Sequence, residues 1–289
     1  MKNSIVPLAL LSLGIGALRP SADKLRLEEV GADSTAYDVT ATMIIGPTEV
    51  LLWDAQYHVA DANRLADRIA ATGKHLKAIV LSHPDHDHFM GAAKIVERFP
   101  GTPVYISSAG LAEYQKTAAR AFQGEKARRP ELVPDSIVTP TALPSLRLTV
   151  DGEAIEVIPD LQGDVLAPTN SILWIPSLKA VLAADVLFNN VHPWFGASDV
   201  ASRKRWLESL KRIDDLHPTV VVAGHKKNID APDSPDVVST MRAYLLDFDS
   251  IRVKSASADE LRAAMAQKYP AFAVPVLLFA SAQTAFRKP

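Results

Sequence analysis

Short apolar runs alternate with longer amphipathic stretches along most of the chain. Runs rich in β-branched residues and bounded by turn residues predict strands, and they cover 25–30, 37–45, 50–54, 76–81, 103–107, 146–150, 154–158, 171–176, 178–185 and 219–225. Apolar residues spaced three or four apart predict helices at 60–72, 91–99, 109–129, 200–216, 237–248 and 261–268. Strands that alternate with helices in this way are typical of the α/β fold class.

The side chains with the clearest chemistry lie in one stretch, 82–91, directly after the buried strand predicted at 76–81. This stretch holds three imidazoles and two carboxylates, which are His83, Asp85, His86, Asp87 and His88. A loop at the carboxyl end of a strand is where open α/β sheets place their ligands. Nitrogen and oxygen donors at this density suit a divalent ion such as zinc. The sequence therefore predicts a metal site in this loop.

The stretch resembles the H-x-H-x-D-H signature of the metallo-β-lactamase-fold hydrolases. His83, Asp87 and His88 match it, whereas Asp85 stands in place of the middle histidine. A carboxylate can replace an imidazole at zinc at roughly 2.0–2.2 Å, and its harder oxygen makes manganese or iron more plausible. His86 occupies a variable position, as a bystander or as a substitute ligand. Strand-like alternation would point it away from its neighbours, which favours the bystander.

The resemblance implies an αββα sandwich of two mixed β-sheets flanked by helices. It also implies a third histidine for the first metal, but the chain has no histidine between His88 and His192. Gln162 stands where that ligand is expected, and Asp164 follows two positions later. An ionised carboxylate binds metal better than an amide, so Asp164 is the preferred ligand. The alternative is a loop aspartate that forms a turn beside Gly163.

The second metal position is matched more fully. The predicted strand 178–185 ends in Asp185, as does the family's strand that carries a carboxylate bridging both metals. A carboxylate at the end of an apolar strand is costly unless it is paired or metal-bound. The predicted strand 219–225 ends in Gly224 and His225, where the glycine would let the backbone turn the imidazole toward the metal. The resemblance thus implies a complete shell of Asp87, His88, Asp185 and His225.

These expectations predict a metallo-hydrolase, with two zinc ions as the expected cofactor. A hydroxide on the metal would attack an ester, lactone, amide or related bond, and Asp87 would orient it or take its proton. Asn190, His192 and Trp194 follow the bridging carboxylate and are predicted to bind substrate. Asp54, at the end of its predicted strand, is expected to support the site without binding metal. The missing histidines leave two alternatives open, namely a single-iron oxygenase of the same fold and a degenerate member that only binds a ligand.

The amino-acid composition adds little to the predicted function. The 289 residues are 48% hydrophobic and 22% charged with a formal net charge of −2, so no basic footprint predicts nucleic-acid binding. The absence of cysteine excludes the subgroup of the family that uses a cysteine ligand. We expect a small-molecule substrate and no stable membrane anchor, and the oligomeric state stays open.

The N-terminal segment predicts export. A cationic start followed by an apolar run at 5–18 is typical of a signal peptide, so 1–22 would be removed and 23–289 would form the metallo-β-lactamase-like domain. Within that domain, 237–289 would be a helical accessory. A periplasmic or secreted protein follows from this interpretation, and a cytoplasmic one if the segment is not a signal.

Overall fold

The structure is a computed structural model and describes residues 25–287. The predicted signal segment therefore lies outside the described residues. Within this range, eleven of the thirteen strands belong to two sheets, and eight α-helices surround them. Over the same range, no helix combines the length and the apolar character that a membrane span requires.

The first sheet is mixed and has six strands. These are β1 (Arg26–Gly31), β2 (Thr40–Ile45), β3 (Glu49–Trp53), β4 (His75–Leu81), β5 (Val104–Ile106) and β6 (Thr141–Ala142). They lie side by side in chain order. The pairs from β1 to β3 are antiparallel, and those from β3 to β6 are parallel.

The second sheet has five strands and is also mixed. These are β7 (Arg147–Val150), β8 (Glu153–Leu161), β9 (Asn170–Ile175), β10 (Ala180–Leu182) and β12 (Val220–Val222). Their order is β12-β10-β9-β8-β7, and only the β10–β12 pair is parallel. Two short strands, β11 (Phe188–Asn189) and β13 (His225–Lys226), pair in parallel beside it.

The helices lie on the outer faces of the two sheets. In chain order they are α1 (Val59–Ala71), α2 (His86–Phe89), α3 (Ala92–Arg98), α4 (Ser108–Arg128), α5 (Val200–Asp215), α6 (Asp236–Lys254), α7 (Ala258–Lys268) and α8 (Pro275–Ala285). Short 3-10 helices occur at Ser34–Ala36, Pro176–Leu178 and Ala184–Val186.

Three apolar layers hold this arrangement together, and strand alternation divides side chains among them. In β3, Val50 and Leu52 face the helices α1–α4, whereas Leu51 and Trp53 face the second sheet. A further cluster joins the outer face of the second sheet to α5–α8, with Trp206 at its centre. Each fully buried side chain of this size contributes roughly 1.5–3 kcal/mol. The predicted αββα sandwich of two mixed sheets is therefore confirmed.

Two segments near the site differ from the sequence expectation. The predicted strand 178–185 ends at Leu182, since Ala184 takes a left-handed φ of 43° that begins the 3-10 helix carrying Asp185. The stretch after β4 is not wholly a loop, because residues from His86 to Phe89 form α2. The alternation argument for His86 therefore does not apply to its side chain.

The C-terminal helices are longer and more numerous than the pattern predicts. Helix α6 continues to Lys254, and α8 has no counterpart among the predicted helices. Helix α8 is almost uniformly apolar, so it lacks the helical periodicity that identifies the others. Its residue Leu278 is buried in the same cluster as Met241 and Met265 of α6 and α7.

Candidate metal centre

The fold brings together all seven residues that the sequence predicted as metal ligands. His83 and Asp85 follow β4, and Asp87 and His88 lie in the short helix α2. The remaining three come from later connections, with Asp164 after β8, Asp185 in the 3-10 helix after β10, and His225 in β13. All except Asp85 are buried.

These side chains form three overlapping groups whose ligand atoms lie within 4.8 Å of one another. The groups are His83, Asp85 and Asp164; Asp87, His88 and His225; and His83, His88 and Asp185. The Asp185 carboxylate lies among all three imidazoles, at 3.0 Å from His88 Nε2, 3.1 Å from His225 Nε2 and 3.8 Å from His83 Nε2. Asp185 thus occupies the position that a bridging carboxylate requires.

Each of the three imidazoles is held through Nδ1, which leaves Nε2 facing the carboxylates. The Nδ1 contacts are His83 to the Ser82 hydroxyl at 2.8 Å, His88 to Asp54 Oδ2 at 2.9 Å, and His225 to the backbone carbonyl of Tyr37 at 2.7 Å. Metal-binding histidines characteristically donate their second ring N–H to a carboxylate, carbonyl or hydroxyl in this way, which sets the ring orientation. With each Nδ1 occupied in this way, the Nε2 lone pairs of the three imidazoles point toward the carboxylates, where a cation could bind them.

Asp54 links two of these histidines, and the expectation that it supports the site agrees with its contacts. Its carboxylate accepts hydrogen bonds from the backbone N–H and the hydroxyl of Ser82, at 2.8 and 2.9 Å, and from His88. Because the Ser82 hydroxyl donates to Asp54, it is free to accept from the His83 ring. One buried carboxylate therefore orients His88 directly and His83 through Ser82.

We expect Asp54→Asn to weaken metal binding while the chain stays folded. The amide keeps one acceptor for Ser82 but turns a donor toward His88 Nδ1, so the imidazole tautomer that presents Nε2 is lost. Replacing such a supporting partner typically costs about 10–100-fold in metal affinity. Competition with a chromogenic chelator measures this, with Asp67→Asn on the exposed face of α1 as the control. Unchanged affinity would contradict the orienting role.

The charges of the site are balanced only in part by the protein. Burial opposes ionisation of Asp185, but the imidazoles of His225, His88 and His83 hold its pKa well below the usual range. Burial and the neighbouring carboxylates, Asp185 first among them, raise the pKa of Asp164 well above its usual range. Negative charge is therefore in excess around Asp164.

The donor set fits divalent metal binding. The four carboxylates carry four negative charges when all are ionised, which two divalent ions would neutralise. The buried atoms His83 Nε2, His88 Nε2, Asp164 Oδ1 and Asp185 Oδ1 have no hydrogen-bond partner within residues 25–287. Buried polar atoms are rarely left unpaired unless something else binds them. Coordination of a cation explains all four at once.

A cavity of about 120 Å³ opens over these residues. Asp85, Asp87, Asp164, Asp185 and His225 lie in its floor, and Tyr37, His86, Phe188, Trp194 and Leu277 complete the lining. The Phe188 ring stacks on the His225 imidazole, with centroids 4.8 Å apart and an interplanar angle of 3°. The wall is thus aromatic and apolar, whereas the floor is charged.

Of the three residues predicted to bind substrate, the structure brings only Trp194 to this cavity. His192 is buried, and its Nδ1 lies 2.8 Å from the Tyr244 hydroxyl; burial lowers the pKa of His192 to about 4. Asn190 donates a hydrogen bond to the Asn189 side chain and lines a different surface depression. Both lie near Asp185 in sequence, but neither side chain lines the cavity.

Gln162, the alternative to Asp164, is directed elsewhere. Its amide nitrogen donates to the carbonyls of Gly163 and Val165, and its oxygen accepts from Arg205. Asp164 belongs to one of the three ligand groups, whereas His86 belongs to none of them. Sequence reasoning missed Tyr37 and Leu277, which reach the cavity from the two ends of the described chain and belong to no motif.

Comparison with known proteins agrees with this geometry. The profile of the metallo-beta-lactamase superfamily matches residues 34–225. No curated protein sequence matches the chain.

Solved structures share the fold at low identity. A metallo-beta-lactamase family protein from Thermus thermophilus has a TM-score of 0.60 and 21% identity, covering 88% of this chain and 91% of its own. The sec-alkylsulfatase Pisa1 from Pseudomonas sp. has a TM-score of 0.55 and 19% identity, covering 85% of this chain and 47% of its own. The DIM-1 metallo-beta-lactamase has a TM-score of 0.55 and 15% identity, covering 78% of this chain and 98% of its own.

The matched range includes all seven candidate ligands, and His225 is its last residue. The profile covers well over half of the chain, and the sheet topology shows the αββα sandwich independently of it. This chain belongs to the metallo-beta-lactamase superfamily.

Proposed function

We propose that the protein is a metal-dependent hydrolase that cleaves an ester, lactone, amide or related bond of a small molecule. Members of its superfamily are typically metal-dependent hydrolases, and they usually bind metal ions. The observation that carries the proposal is the shared orientation of His83, His88 and His225, whose Nε2 atoms all face Asp185 while each Nδ1 is held from behind.

Two ions, with zinc as the first choice and manganese or iron as alternatives, would divide the seven residues between them. His83, Asp85 and Asp164 would hold one, and Asp87, His88 and His225 the other, with Asp185 between them. When bound, a divalent ion lowers the pKa of a coordinated water toward about 7 and polarises the scissile group. The oxygen-rich first set is the one more tolerant of manganese.

The protein's own side chains then supply orientation and proton transfer. Asp87 lines the cavity, and its Oδ2 lies 3.6 Å from His225 Nε2, so its carboxylate can orient an attacking water and accept the proton. Phe188 and Trp194 form an apolar wall that limits access of bulk water. A substrate with a polar head and an apolar neighbour would suit both surfaces.

A single-iron oxygenase remains a second candidate because one ligand group has a distinctive composition. Asp87, His88 and His225 supply two imidazoles and one carboxylate, the ligand set of many non-haem iron oxygenases. Under this alternative, the set of His83, Asp85 and Asp164 would stay without metal.

Metal content and a hydrolysis screen, measured on the same preparation of the full chain, distinguish these functions. We expect about two divalent ions per chain and hydrolysis of at least one class among lactones, β-lactams, thioesters and sulfate or phosphate esters. Removing the metal with a chelator should abolish turnover, and adding zinc or manganese back should restore it. A single iron with oxygen-dependent turnover would support the oxygenase, and a metal-free chain without turnover would support a binding protein.

Export stays part of the proposal, with removal of 1–22 and a periplasmic or secreted location. The apolar run at 5–18 supports it. N-terminal sequencing of the protein from the exported fraction tests it, since an intact Met1 there would contradict cleavage.

A further inference from the structure

A second groove adjoins the metal centre on the side of α4. It has a volume of about 460 Å³ and is lined mainly by apolar atoms. Ala121 of α4 forms one wall, and Val165, Leu166 and Ala167 form the other. Because these three residues directly follow Asp164, the opposite wall of the groove is a continuation of the ligand-bearing loop.

The groove and the metal cavity share part of their lining. Asp85 and His86 line both of them. The Nε2 atom of His86 is buried, and no hydrogen-bond partner for it exists among the described residues. The Thr169 hydroxyl, in a residue that also lines the groove, is likewise buried and unpartnered in the described range. Two buried polar atoms beside the groove thus lack a hydrogen bond among the described residues.

The walls of the groove away from the metal offer little to a charged ligand. Glu113 lines it, but its carboxylate is paired with Lys116 at 3.1 Å. Leu166, in the other wall, is 55% exposed and adds apolar surface to the groove. An exposed apolar surface next to a reactive centre favours an apolar part of the substrate over water.

We propose that this groove binds an apolar chain attached to the group held at the metal centre. The substrate class is therefore an amphiphile, an ester or amide of an acyl or alkyl chain whose polar head reaches the metals past His86. A separate protein or membrane is a poorer occupant because the groove shares Asp85 and His86 with the metal cavity, so whatever fills it lies next to the candidate metal ligands. The chemistry of cleavage rests on the proposed hydrolase function, whereas the binding of the chain does not.

Binding of a homologous series tests the groove without requiring turnover. Hydroxamic acids chelate active-site metals, so acetyl-, hexanoyl- and decanoyl-hydroxamic acid present one head with chains of increasing length. On the metal-loaded full chain, we expect each added methylene that enters the groove to lower Kd about two- to fourfold. Esters of the same acyl chains should show a parallel rise in kcat/KM.

Two substitutions on the same helix provide the matched comparison. Ala121→Trp fills the groove from the α4 side and should bring the Kd values of hexanoyl- and decanoyl-hydroxamic acid close to that of the acetyl compound. Ala119→Trp places the same bulk at an exposed position of α4 that does not line the groove, and it should keep the full chain-length dependence. Leu166→Ser, at an already exposed position, should reduce the dependence without the risk of overpacking.

The outcomes separate the two proposals. Equal Kd values across the series in the unmodified protein, or the same dependence in Ala121→Trp as in Ala119→Trp, would overturn the groove assignment. Chain-dependent binding of hydroxamic acids without hydrolysis of any ester would support the groove and count against the hydrolase. Ester hydrolysis that is independent of chain length would support the hydrolase and count against the groove.

Discussion

Asp185→Ala is expected to lose most of the bound metal and to lower kcat/KM by on the order of 10³-fold, since metal-assisted charge stabilisation is worth several kcal/mol. The reason is its position, because Asp185 is the one carboxylate in the described part of the chain that lies within 4 Å of all three Nε2 atoms. Without it, only Asp85 and Asp87 remain within 4 Å of these Nε2 atoms, and neither reaches all three. Metal analysis together with steady-state kinetics measures both losses.

Asp85→Ala and the double variant are the comparison for this prediction. Asp85 belongs to one ligand group and is partly exposed, so Asp85→Ala should retain more metal than Asp185→Ala. Residues that act as a unit are strongly non-additive, so the double variant should be scarcely worse than Asp185→Ala alone. Full metal retention in Asp185→Ala would rule out a bridging role.

Gly224→Ala is expected to damage both the fold and the site. A Cβ at this position would lie 2.5 Å from the Ala184 carbonyl carbon and 2.5 Å from Asp185 Oδ1. Neither can move freely, since Gly224 N donates to the carbonyls of Ala184 and Leu187, at 2.9 and 3.1 Å. Overpacking of this kind typically costs about 1–3 kcal/mol, and here it also displaces the carboxylate next to His225.

Gly124→Ala in α4 is the control for this substitution. A Cβ there would meet no atom within 4 Å among the described residues, and alanine in a helix is favoured over glycine by roughly 0.8–1.0 kcal/mol. We therefore expect the melting temperature and the metal content to fall in Gly224→Ala, and the melting temperature to stay level or rise in Gly124→Ala. A Gly224→Ala protein with unchanged melting temperature and metal content would contradict the close-approach argument.

For Gly224, the sequence identified an important residue but only part of the reason for its importance. The sequence indicated that glycine lets the backbone turn before His225. Gly224 is not among the glycines with positive φ, so its need for a small residue comes from the close approach of the Ala184 segment. This contact is between residues forty positions apart, so no local sequence pattern predicts it.

Local sequence determined most of the layers and half of the site. The pattern of strands and helices predicted the α/β class, whereas the αββα sandwich followed from the resemblance of the stretch 82–91 to a known family. His83, Asp87 and His88 lie within six positions, and their spacing alone brings them to one strand end. Asp185 and His225 each follow an apolar run, which marks a polar side chain at the end of a buried strand.

Tertiary structure alone decided which of the remaining residues reach the candidate metal-ligand cluster and the cavity above it. Asp164 could be a turn residue or a ligand by sequence, but the Ser171 N–H donates to the Ser82 carbonyl at 3.0 Å, which fixes the β9 end of its loop beside His83. His192 was predicted to reach the cavity but is buried against Tyr244, whereas Leu277 of α8 lines it. The physical reason is the separation of these residues along the sequence. Residues on one strand end are placed by their spacing, but contacts between distant segments depend on how the two sheets and the outer helices pack.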